Sequence, residues 1–244
     1  MTGRCYGVGV GPGDPELLTL KAARLIASAD VIAYPQPDDG ESFARAIVAG
    51  HLGHAIEEPI VVPMRTERFP AAAVYDEAAE RLGVHLDAGR DVVVLCEGDP
   101  FFYGSFMYLF GRMRGEHPIE IVPGVSSLVA GAAAASVPLA ARNDVLSILP
   151  GPLPDDTLTE RLASCDAAAI IKLGRHYPRV RALIERLGLL ERAHYCERIG
   201  TARERIVKLS EAGETAPYFS LILIDSGPGT WESPGGVARE GSPA

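Results

Sequence analysis

Through its first half the chain alternates short apolar runs, rich in β-branched residues, with stretches of helical period, and glycine or proline turns punctuate the series. That rhythm restricts the fold to a parallel sheet with helices packed on it, because parallel neighbours need a long crossover and a helix supplies one. Residues 5–10 form the first strand. Asp14 is placed to cap a helix, with Pro15 at its first position and Glu16 at its positive end. The helix is predicted to run to about residue 28, with Leu18, Ala22, Leu25, Ile26 and Ala29 as its apolar stripe. Extended runs at 31–34, 59–63 and 92–96 alternate with helices at 42–49, 70–88 and 106–113.

The Gly115-Glu116-His117-Pro118 break ends this series and sets the expected division into an N-terminal α/β domain, 1–117, and a C-terminal one, 118–226. The second domain opens on a strand at 119–122, enters an alanine-rich helix at 125–135, and continues with strands at 145–149, 167–173, 193–198, 205–209 and 218–224. Its sheet is therefore expected to be mixed. Residues 227–244, dominated by Gly, Pro, Ser and charge, read as a flexible tail.

Composition narrows the functional classes. The chain has 244 residues, 47% apolar and 23% charged, as expected of one ordered globule. With 32 acidic against 23 basic residues and a net charge of −9, it repels polyphosphate at long range, so nucleic acid is not an expected partner. Cys5, Cys96, Cys165 and Cys196 are far apart in sequence, without the close pairs of zinc or redox motifs, which fits a reducing compartment. The N-terminus lacks the continuous apolar core of a signal peptide, and no run approaches the roughly 18 apolar residues of a membrane helix. A cytoplasmic protein is expected, with neither membrane nor metal.

Three loops carry the chemistry. Gly7-Val8-Gly9-Val10-Gly11-Pro12-Gly13-Asp14 follows a strand and precedes a helix N-terminus, where small residues let a ligand approach the backbone. It is not a dinucleotide fingerprint, since Pro12 and Asp14 occupy the places of the third glycine, and no Gly-Lys-Ser/Thr follows. Cys96-Glu97-Gly98-Asp99-Pro100-Phe101-Phe102-Tyr103-Gly104 also follows a buried strand, at the same carboxyl edge of the sheet. Its aromatic trio suits either anchoring to the core or stacking on a flat ligand. Pro123-Gly124-Val125-Ser126-Ser127 places two hydroxyls at a helix start, where they cap or bind; the following Leu128 excludes a hydrolase elbow. Arg65 and Arg68, between a strand and a helix, form either a solvated charge run or a carboxylate-binding fork, and Arg142 beside Asn143-Asp144 has the same two readings. His51 and His54 have no partner at ligand spacing.

Taken in order, GVGVGPGDPELLTLKA, CEGDPFFYGSF and VPGVSSL resemble the tetrapyrrole (corrin and porphyrin) methylases, which use S-adenosyl-methionine. The resemblance extends to about Ile224. PMRTERFP, PLAARNDVLSILP and ADVIAYP are similar to the branch that methylates precorrin-2 at C20 to give precorrin-3A in cobalamin biosynthesis. The resemblance implies two α/β domains with a cleft between them, a homodimer, and a cofactor held at the domain boundary. By motif position it assigns Pro12, Glu97, Gly98, Asp99, Phe102, Ser126, Ser127, Leu173 and Gly200 to the cofactor, leaving S-adenosyl-homocysteine as product. The substrate's many carboxylates point to Arg65, Arg68 and Arg142. The family's uroporphyrinogen methylases carry an acidic residue after the second strand where this chain has Pro35, so that base does not carry over. Tyr34, Glu97 and Tyr103 stay open as candidates. Rival readings are the cobalt-loaded substrate, another ring position, a protein-modifying relative such as diphthine synthase, and a nucleotide-binding regulatory module.

Overall fold

The computed structural model describes residues 2–62 and 70–227, which divide after Ser127 into two compact units. In the first, strands β1 (Cys5–Gly9), β2 (Val31–Pro37), β3 (Ile56–Val62), β4 (Val92–Cys96) and β5 (Ile119–Val122) form an all-parallel sheet in the order β3-β2-β4-β1-β5. The strands' two-residue period explains why both faces are covered. Val31, Ala33, Val92 and Val94 bury one face against helices α3 (Pro70–Asp87) and α4 (Phe106–Met113) through Leu82, Leu86, Leu109 and Met113. Ile32, Val93 and Leu95 bury the other against α1 (Leu20–Ser28) and α2 (Phe43–Ile47) through Ile26 and Ile47. Each such side chain taken fully from water contributes about 1.5–3 kcal/mol before its ordering cost.

The second unit has strands β6 (Leu146–Pro150), β7 (Ala167–Ile171), β8 (Ala193–Glu197), β9 (Arg205–Lys208) and β10 (Ser220–Ile224) in the order β6-β7-β10-β8-β9. β6 and β7 are parallel, whereas β10 runs antiparallel to β7 and β8, and β9 to β8. One face packs on α6 (Asp155–Ala163) and α7 (Tyr177–Arg186), the other on α5 (Ser127–Ala134) through Leu128.

Two expectations are corrected. The helix expected over 14–28 is two pieces: Asp14 caps only a 3-10 turn, Pro15–Leu17, Leu18 is extended, and the Thr19 hydroxyl accepts from the Ala22 N–H to start α1. β5 is not the head of the second unit. It pairs in parallel with β1 as an edge strand of the first sheet, because the crossover through α4 carries the chain past β1, and the units divide after Ser127.

Candidate active site

β1 and β4 are neighbours, yet the helices that follow them leave on opposite faces of the sheet, α1 on one and α4 on the other. A parallel sheet opens a crevice at such a switch point, at the carboxyl ends of its strands. The loops after β1 and β4 flank it and are pinned together. The Val10 N–H donates to the Cys96 carbonyl at 2.9 Å, and Gly11 and Gly98 exchange backbone hydrogen bonds at 3.3 and 2.8 Å. Gly98 has φ +63°, a left-handed geometry that glycine adopts without strain.

The loop after β5 closes on the same point. A Cβ on Gly124 would lie 2.1 Å from the Gly98 carbonyl oxygen and 2.8 Å from Gly9 backbone atoms, so three glycines let three loops touch by their main chains. Asp99 fixes this arrangement. Its Oδ1 accepts from the Phe101 and Phe102 N–H groups at 2.9 and 3.1 Å, and its Oδ2 from the Gly124 N–H at 3.1 Å. The carboxylate assigned by motif to the cofactor is thus engaged with three backbone donors, and its role here is to hold the loops.

The other expected residues of the first unit gather at this edge. Pro12 is buried, and Gly98, Phe102, Ser126 and Ser127 are half-buried. Glu97 is half-buried too. Burial pushes its pKa above the usual carboxylate range, against the lowering effect of its own backbone N–H and that of Ala44 in α2. Ala44 was missed by sequence reasoning; only the Ser42 cap just ahead of it signals a helix start here. Of the remaining base candidates, Tyr34 donates its phenolic hydrogen to Glu57 Oε2 at 2.7 Å. Burial first and this bond second raise its pKa, so it stands as a neutral donor. Tyr103 is partly exposed at φ 56°.

In the second unit, Leu173 and Gly200 follow the carboxyl ends of β7 and β8, which point the same way on either side of antiparallel β10. The Leu173 side chain is fully buried in the core. The Gly200 N–H is taken by Glu204 Oε2 at 2.7 Å. Arg142 sits in a turn ahead of β6, at the amino end of that strand, and is not brought together with Leu173 or Gly200. Arg65 and Arg68 lie outside the described residues.

Comparison with known proteins places this architecture. Over residues 4–213 the chain matches the tetrapyrrole (corrin/porphyrin) methylases. It is 48% identical over 235 residues to the cobalamin biosynthesis protein CobIJ of Mycobacterium tuberculosis, across 92% of this chain but only 46% of that protein, so it spans under half the length of that relative. It is 41% identical to the precorrin-2 C(20)-methyltransferase of a Sinorhizobium species, over 91% of this chain and 95% of that one. Among solved structures it is similar to the Thermus thermophilus uroporphyrin-III C-methyl transferase complexed with S-adenyl homocysteine, at 28% identity and a TM-score of 0.67, covering 91% and 92% of the two chains. The loops at the switch point, the two sheets and these matches together make the chain a member of the tetrapyrrole methylase family.

Proposed function

We propose that the protein transfers the methyl group of S-adenosyl-methionine to C20 of precorrin-2, giving precorrin-3A and S-adenosyl-homocysteine in cobalamin biosynthesis. The observation that carries this reading is the match, nearly end to end, with a precorrin-2 C(20)-methyltransferase. The switch-point site is consistent with it. A cofactor with an adenosine, an amino-acid tail and a sulfonium suits small residues, an apolar wall and main-chain groups, which Gly98, buried Pro12, Phe102 and the hydroxyls of Ser126 and Ser127 provide.

The bound cofactor supplies an electrophilic methyl, and the substrate a nucleophilic meso carbon, so no covalent enzyme intermediate is required. The protein's task is alignment. A site whose loops are locked before binding loses little entropy on the way to an in-line geometry, and the Gly11–Gly98 bonds and the Asp99 clamp provide that locking. Arg65, Arg68 and Arg142 remain assigned to the substrate's carboxylates. Arg142 is exposed in its turn. The four cysteines are free, which accords with a cytoplasmic enzyme, and a homodimer completes the reading. The test is anaerobic incubation of the protein with precorrin-2 and methyl-labelled S-adenosyl-methionine, followed by mass and NMR assignment. One added methyl at C20 is expected; a methyl elsewhere, or transfer only to the cobalt-loaded substrate, rejects the assignment.

A further inference from the structure

Among the described residues, five non-glycine residues have left-handed backbone: Tyr103, Ser136, Arg142, Lys172 and Arg198, with φ between 49° and 57°. A bulky side chain is the least suited to this region, and such strain persists only where the surroundings over-determine it, most often at functional sites. Tyr103 is the aromatic one, and it stands in the loop beside the switch point. It is held from both sides. On one, Asp99 ties down Phe101 and Phe102. On the other, Gly104 passes so close that a Cβ there would lie 2.6 Å from the Asp99 carbonyl oxygen and 2.8 Å from that of Pro100.

The three aromatics of this loop have different fates. Phe101 lies against Phe110 and Phe106 of α4. The Tyr103 ring meets Phe102 edge-on, with centroids 5.2 Å apart and planes at 88°, and is 41% exposed. A strained backbone that leaves its ring so exposed displays the ring instead of burying it. We propose that Tyr103 is a substrate-contacting residue, which lays its ring against a flat conjugated macrocycle at the carboxyl edge of the first sheet. It thereby sets affinity for the tetrapyrrole and not for the methyl donor. This rests on the tetrapyrrole reading above, and asks no proton transfer of the hydroxyl.

Tyr103→Gly and Tyr103→Phe test it. Glycine removes the ring and the strain together, so the thermal midpoint stays within about 2 °C of the parent or rises. Its KM for the tetrapyrrole rises roughly five- to tenfold, the size of one aromatic contact, while KM for S-adenosyl-methionine stays within about twofold. Phenylalanine keeps the ring and recovers most of the loss. An unchanged tetrapyrrole KM in Tyr103→Gly overturns the proposal, as does an equal rise in both constants, a phenylalanine variant as impaired as glycine, or a midpoint lowered by more than about 4 °C. If the parent methylates no tetrapyrrole, the functional reading fails by itself. Equilibrium titration with uroporphyrin, followed by fluorescence, then decides the inference: binding weakened five- to tenfold in Tyr103→Gly supports it, and equal binding, or none to either protein, overturns it.

Discussion

Asp99 shows how little of a carboxylate's role its motif reveals. The Gly-Asp-Pro sequence was legible as a ligand loop, and the turn-forming tendency of Asp before Pro was legible too. The third bond, to the Gly124 N–H, was not, because it depends on β5 lying beside β1. Replacing Asp99 by Ala leaves three backbone donors without their charged acceptor and is expected to lower stability by about 2–4 kcal/mol. Urea unfolding checks this; a loss under about 0.5 kcal/mol would mean that water serves these donors equally well. Gly124→Ala tests the same contact from the steric side. Its new methyl would meet main chain, which cannot rotate away, so it is expected to cost about 3 kcal/mol and to weaken binding of S-adenosyl-homocysteine. A variant with parental stability and affinity would show that the three loops can part without consequence.

At the scale of elements, what was legible followed from strong local pattern, and what was missed followed from competition between local signals. α4 and β4 emerged with the bounds read from sequence, because a clear apolar stripe and an unbroken apolar run leave one solution. The segment after β1 contains two capping residues, and Thr19 overrode Asp14 as the start of the regular helix. Thr19→Ala is accordingly expected to cost about 1 kcal/mol in thermal or denaturant unfolding. A neutral result would assign the start of α1 to packing of Ala22 and Ile26 alone. The five-residue α2 is too short to hold itself. It is tied to β3 by Arg45, whose Nε and a terminal nitrogen reach the two oxygens of Glu57 at 2.5 and 2.7 Å. Arg45 first, and the Tyr34 hydroxyl second, hold the Glu57 carboxyl down at about 2. The folded value lies below the unfolded one, so the stabilisation is present above roughly pH 4.5 and is lost as the pH falls toward 2. With over a third of both side chains exposed, solvent screening limits it to about 1 kcal/mol. The stability difference between parent and Glu57→Gln should therefore shrink on titration from pH 7 to below 4; a constant difference would show that the carboxyl is not what α2 leans on.

For the whole molecule, the class of the fold was legible because hydrophobic period alone distinguishes strands buried on both faces from amphipathic helices. The division between units was less so. Glycine and proline at 115–118 mark a turn, and a turn before an edge strand has the same composition as a linker, so only the pairing of β5 with β1 distinguishes them. That pairing also brings Gly124 and the Ser126–Ser127 hydroxyls to the carboxyl edge of the first sheet, with the loops of β1 and β4. The expected ligand residues of this unit thus come from three loops far apart in sequence, which meet only when β4, β1 and β5 are paired. Binding there is therefore linked to global stability. A ligand that binds only the folded chain stabilises it by about 2.7 kcal/mol at one hundred times its dissociation constant. For a chain of this length that corresponds to roughly 5–10 °C in the unfolding midpoint. S-adenosyl-homocysteine is expected to produce such a shift in the parent, and a smaller one at the same concentration in Gly124→Ala, whose contacting loops are forced apart. No shift in the parent at saturating ligand would refute the assignment of these loops to the cofactor. An equal shift in both proteins would retain the ligand but move its binding energy away from the point where the three loops meet.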